Sequence, residues 1–102
     1  MAETIDEITI DWTDEDGSQR VKQLRKEVLT RGAWTTIVFA YQDIDRSGAL
    51  SEVKFRVVRY QKRNGRYMPQ SKFNISSVRQ ARQVAEILNV WADAFEGGAA
   101  GE

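Results

Sequence analysis

Apolar and polar residues alternate over Ile8-Thr9-Ile10-Asp11-Trp12, the period of a half-buried strand, and the pattern stops at Asp14-Glu15-Asp16-Gly17. The same stretch reads equally well as a tethered acidic arm. Residues 20–29 are ambiguous in period: Val21, Leu24 and Val28 have helical spacing, while Leu24 and Val28 also share one face of a strand. Gly32 marks a turn, and Trp34-Thr35-Thr36-Ile37-Val38-Phe39-Ala40-Tyr41 is rich enough in β-branched and aromatic residues to predict a strand buried on much of both faces. Asp43-Ile44-Asp45-Arg46-Ser47-Gly48 has the residue order of a calcium loop, but Lys54 stands where that loop needs its bidentate glutamate, so a hairpin connection is expected. Val53 to Tyr60 predicts the next strand, with Val53, Phe55 and Val57 on the core face and Lys54, Arg56, Val58 and Tyr60 on a basic one. Asn64-Gly65 is a two-residue hairpin signal, because a type I′ turn needs positive φ at both positions. The ribbon returns through Tyr67 and Met68; Pro69 marks an edge or a bend, and Phe73 and Ile75 alternate with Lys72 and Asn74 in a fourth strand.

Ser76 or Ser77 caps a helix whose apolar residues Val78, Ala81, Val84, Ala85, Leu88, Trp91, Ala92 and Phe95 recur at helical spacing until Gly97-Gly98. That stripe covers roughly 140°, and Ile87, Val90 and Ala94 widen it to roughly 240° in the C-terminal half, more than one sheet can cover. A homodimer is therefore expected, built on Ile87, Val90, Trp91 and Ala94 as a self-contact. The competing arrangement has the N-terminal segment covering that surface within one chain.

The chain has 102 residues, enough for one domain with a small core. It has no cysteine and no histidine, which removes disulfides, Cys/His zinc sites, thiolate nucleophiles and the usual neutral-pH proton shuttle. The acid pairs Asp43/Asp45 and Asp14/Asp16 lie in a turn and an acidic arm with no implied pocket, so neither an enzyme nor a cofactor or metal site is expected. No apolar run approaches the roughly 20 residues that span a bilayer, and the start of the chain is acidic; a cytoplasmic protein without a membrane partner or a small-molecule substrate is expected.

Formal neutrality hides a segregation of charge. Residues 1–16 carry seven acids and no base, residues 83–102 four acids and no base, and residues 17–82 all fifteen bases against four acids, a net +11. Within 54–82 there are nine bases and no acid. Such asymmetry points to an anionic partner, nucleic acid first. Arg79 and Arg82 in the first helical turn oppose the helix dipole and would reinforce an anion site there, beside Lys72. Single strands need cations along a groove and aromatic faces for unpaired bases. The candidate phosphate ligands are Lys54, Arg56, Lys62, Arg63, Arg66, Lys72 and Arg79, and the candidate stacking residues Tyr60 and Tyr67, with Trp34 as a further one, although Trp34, Phe39, Phe55, Trp91 and Phe95 also fit a core.

The order of elements, three or more strands, a basic hairpin and one serine-capped helix, resembles the positive cofactor four family of transcriptional coactivators that bind single-stranded DNA. Phe55-Arg56-Val57-Val58-Arg59-Tyr60 matches the apolar-polar-apolar-x-x-aromatic pattern of that family's middle strand, and Phe73-Asn74-Ile75-Ser76 matches the residues before its helix. Ser71-Lys72 stands where the family has Lys-Gly, and Val58 where arginine is common. The resemblance covers about residues 20–96 and implies a strand over 20–29, an α+β fold with a curved four-stranded antiparallel sheet and one C-terminal helix, a dimer, and binding of unpaired DNA along basic ribbons. The expected organisation is an acidic N-terminal arm or edge strand over 1–16, one β-β-β-β-α domain over 17–96 and a flexible Gly/Ala tail over 97–102. The expected function is single-stranded DNA binding with little sequence specificity, by a homodimeric transcription or DNA-transaction cofactor. RNA binding, or a module whose basic face docks an acidic protein, are the alternatives.

Overall fold

The computed structural model describes residues 2–97; the expected tail falls, beyond Gly97, outside the described residues. The fold is α+β: a curled antiparallel sheet of five strands in the order β1-β2-β3-β4-β5, followed by one helix. The strands are β1 (Trp12–Thr13), β2 (Gln19–Thr30), β3 (Trp34–Asp43), β4 (Lys54–Arg63) and β5 (Arg66–Ile75), and the helix is α1 (Val78–Glu96). Four strands follow the sequence pattern. The fifth, β1, is a two-residue edge pairing at the end of the N-terminal segment, which supplies both an arm and a strand.

The ambiguity over residues 20–29 has a physical origin. In the pairing of β2 with β3, Gln23 faces Tyr41 and Arg25 faces Ala40, while Val28 faces Ile37 and Thr30 faces Thr36, so Leu24 and Leu29 are extra residues at bulges. Each bulge breaks the two-residue period and lends β2 an apparently helical spacing. The β4–β5 turn is the one expected: Asn64 (φ 52°) and Gly65 (φ 79°) both adopt the positive φ of a type I′ turn. Pro69 sits on the edge strand β5 opposite Tyr60, next to a register shift that leaves Gln70 unpaired, so no ladder hydrogen bond is lost to it.

The core lies on the face expected to be basic. Ile37, Phe39, Val58, Tyr60 and Tyr67 are buried together on one side of the sheet, under Ile8 of the N-terminal segment, with Ala2, Ile5, Ile10 and Val28 packed against them. Fully buried Thr35 and Phe39 flank Ile37 on β3. The other side carries half-buried Val38, Ala40, Phe55 and Val57, exposed Phe73 and, opposite Phe55, buried Ile75. Phe55 and Val57 are therefore not the inner face of this chain's own core; the chain reserves that place for Val58 and Tyr60 because its own N-terminus comes back to cover them.

The helix also departs from expectation. Ser77 is its N-cap, accepting the Gln80 backbone N–H at 3.0 Å, while the Gln80 side chain accepts the Ser76 backbone N–H at 2.9 Å. Gly97 closes its C-terminus. The apolar stripe does not lie on the sheet, however: Val78, Leu88, Trp91 and Phe95 are exposed, and only Ala81 and Val84 are half-buried. Trp91 and Phe95, with Trp34 at 41% exposure, stand outside the core that their apolar character suggested. No described helix is long and apolar enough to cross a membrane.

Candidate nucleic-acid interface

Antiparallel pairing sorts the candidate residues onto two faces. On the core face, rows run across the sheet: Lys26, Phe39, Arg56 and Asn74 in one, Val28, Ile37, Val58 and Lys72 in the next. Farther towards the hairpin, Thr35, Tyr60 and Pro69 form another row, and Lys62 faces Tyr67. On the opposite face Trp34 pairs with Gln61 and Thr36 with Arg59. Alternation along β4 thus puts Lys54, Arg56, Tyr60 and Lys62 on one side and Arg59 and Arg63 on the other.

A groove of about 860 Å³ runs between the N-terminal segment and β4–β5. One wall carries Arg56, Val58, Tyr60, Tyr67, Pro69 and Lys72; the other carries Glu3, Glu7 and Asp11 among apolar residues. Arg56 is held in place there. Its Nε donates to Asn74 Oδ1 at 2.8 Å, and its guanidinium carbon lies 4.6 Å from the centre of the Tyr41 ring. Lys72, opposite Val58, shares this face with Arg56 and lines the groove.

Aromatic rings and cations are paired on both faces. Lys62 Nζ is 5.4 Å from the Tyr67 ring centre, and the Arg59 guanidinium carbon is 4.3 Å from that of Trp34. The exposures invert the expected roles. Tyr60 and Tyr67, the preferred stacking candidates, are 6% and 7% exposed, because the N-terminal segment packs on them; Trp34 presents an open ring. Burial pushes the Tyr60 phenol up to about 12, against a smaller opposing effect of the Arg56 charge.

Of the nine lysines and arginines between 54 and 82, Lys54 alone has a carboxylate within 4 Å among the described residues: its Nζ lies 2.8 Å from Asp43 Oδ2, a contact that raises the pKa of Lys54. That ion pair ties Lys54 to the end of β3 and removes it from the free cations. Arg59, Lys62, Arg63, Arg66, Lys72 and Arg79 are exposed. Arg63 is steadied by Gln61, whose Oε1 accepts from Nε at 2.8 Å. Arg79 stands on the first turn of α1. The residue that sequence reasoning missed is Lys26, half-buried beneath the N-terminal segment; its place between Leu24 and Val28 in an ambiguous stretch gave no sign of the face it occupies.

The expected interface residues Ile87, Val90 and Trp91 are 41%, 55% and 56% exposed, and Ala94 is exposed as well. Among the described residues no three acidic side chains group as a metal site. No family model matches the chain, and neither the curated proteins nor the solved structures compared with it include a significant match.

Proposed function

We propose that this chain binds single-stranded DNA with little sequence discrimination, as a homodimeric transcription or DNA-transaction cofactor of the positive cofactor four kind. The observation that carries the proposal is the row of cations without carboxylate partners on β4, the Asn64-Gly65 hairpin and β5, interleaved with aromatic rings. Among the described residues eight of the nine bases in 54–82 have no carboxylate partner, although the chain carries as many acids as bases. A cation row of that kind suits phosphates, and rings beside it suit unpaired bases. Lys62, Arg63 and Arg66 would hold phosphates at the hairpin, Arg56 and Lys72 in the groove, and Arg79 at the helix start. Trp34 offers the open stacking face.

The homodimer rests on unpartnered apolar surface. The helix exposes Val78, Ile87, Leu88, Val90, Trp91 and Phe95, and the sheet face away from the N-terminal segment exposes Phe73 beside half-buried Phe55 and Val57. A second copy is the occupant proposed for this surface.

The test is a pair of charge reversals, Arg63→Glu with Arg66→Glu, titrated against a labelled oligothymidine. Affinity should fall at least tenfold, and the dependence of log K on log salt should flatten by about 1.4, the effect of two phosphate contacts on a single strand. Unchanged affinity and slope would refute the hairpin as the interface.

A further inference from the structure

The N-terminal segment covers the sheet face on which the strongest potential single-strand platform lies. It crosses that face as a strap with a single 3₁₀ turn, Ile5–Glu7, and is fastened at four places. Ala2 forms an antiparallel bridge with Tyr67, whose N–H donates to the Ala2 carbonyl at 2.8 Å. Ile8, 4% exposed, seats on Tyr60 and Tyr67. Lys26 Nζ donates to the carbonyls of Ile5 at 2.6 Å and Ile8 at 2.8 Å. Gln23 Oε1 accepts from the Thr9 hydroxyl and the Ile10 N–H, and the Gln23 N–H donates to Asp11.

The fastening is selective in a telling way. Glu3, Asp6, Glu7 and Asp11 have no lysine or arginine within 4 Å, so the strap's acids are not spent in ion pairs with the sheet. The cation beneath it is instead held by two neutral main-chain carbonyls, which any phosphate oxygen would outbid as an acceptor for an ammonium group. Among residues 2–12 only Ile8 is buried. Beneath lies a face whose rows hold Lys26, Phe39 and Arg56, then Val58 and Lys72, then Tyr60, then Lys62 and Tyr67, with Tyr41 against Arg56. Four cations and four aromatic rings share one concave side, the composition that single-strand platforms require.

We propose that residues 2–12 are a displaceable strap over a larger single-strand site, in which Lys26 becomes a phosphate ligand and Tyr60 and Tyr67 become stacking faces once an incoming strand lifts the strap. This rests on the single-stranded DNA proposal and adds its regulation: the anionic segment and the polyanion compete for one face, so the intact chain binds more weakly than its own open state. Burial of Lys26 lowers its pKa, against a smaller opposing effect of the Asp6 charge.

The chain has no cysteine, so the strap can be locked covalently. Ala2→Cys with Tyr67→Cys places two thiols on directly paired residues, at the Cα separation of about 5.5 Å that a disulfide accepts; the Tyr67 ring is absent from both redox forms, so their comparison reads the uncovering of Lys26 and Tyr60. Oligothymidine affinity is measured for the oxidised and the reduced form of this one protein. Reduction should raise affinity at least tenfold, and hydrogen exchange at the Ile10 amide should quicken when the unmodified chain is saturated with oligothymidine. In the reduced form Lys26→Gln should flatten the salt slope by about 0.7, one phosphate contact. Equal affinity of locked and unlocked protein, with both binding, overturns the strap while leaving single-strand binding in place. No binding by the unmodified chain in low salt overturns both.

Discussion

The guanidinium of Arg59 lies 4.3 Å from the ring centre of Trp34, on the side of the sheet opposite Tyr60 and Tyr67. Trp34 is 41% exposed, so Arg59 covers one part of the ring and leaves the rest to a ligand. Trp34→Ala should weaken oligothymidine binding by about 1–3 kcal/mol, the contribution of one stacked base, without unfolding a chain whose core is elsewhere. Anisotropy titration together with a thermal melt separates the two effects; full affinity in the variant would remove Trp34 from the interface.

Residues whose structure depends on near neighbours in the chain were legible in sequence. The β3 strand, the Asn64-Gly65 turn and the Ser77-capped helix each follow from local backbone and hydrogen-bond preferences. What could not be read was set by distant contacts. Leu24 and Leu29 disguised β2 because their bulges exist only relative to β3. Val58 and Tyr60 took the core from Phe55 and Val57 because Ile8, some fifty residues earlier, comes to lie on them. The burial of Tyr60 and Tyr67 depends on the same distant segment. Lys54 was grouped with the free cations because its pairing with Asp43 bridges a turn.

The core on the strap side sets the stability of the chain. Phe39 is fully buried beside Ile37 and Val58, and Phe39→Ala should cost about 3–5 kcal/mol in chemical denaturation. A loss below about 1 kcal/mol would mean that this face is not the packed one.

Tyr60 reports whether the strap is closed. Its phenol is held up at about 12 by burial, above the ordinary 10.0. Because the folded value is the higher one, the unfolded chain ionises first, and the stability linked to this group is lost as pH rises from about 10 to about 12. Titration of the Tyr60 ring carbon by NMR should give the high value in the intact chain. An ordinary value in the intact chain would show the strap to be open in solution.

Acid should loosen the strap before the sheet. Glu7 accepts the backbone N–H groups of Glu3 at 2.9 Å and Thr4 at 3.2 Å, which hold its carboxyl below the ordinary 4.5. A lowered folded value favours the folded strap above about 4.5, and that contribution disappears as pH falls through the folded value. Amide exchange at Glu3 and Thr4 should therefore quicken in acid while β3 and β4 stay protected. Simultaneous loss of protection in strap and sheet would contradict a separately held strap.

The exposed helix face predicts association. Trp91→Glu should convert the protein from a dimer to a monomer by light scattering at micromolar concentration, with α1 retained by circular dichroism. A monomeric mass for the unmodified chain at high micromolar concentration would remove the dimer.

The most direct measurement is fluorescence anisotropy of a labelled oligothymidine of about 20 nucleotides, compared with duplex DNA of equal length at two salt concentrations. Binding that favours the single strand and weakens steeply with salt is the predicted result. Failure to bind either form at low salt would contradict it, and would assign the cations of β4 and β5 to an acidic protein partner instead.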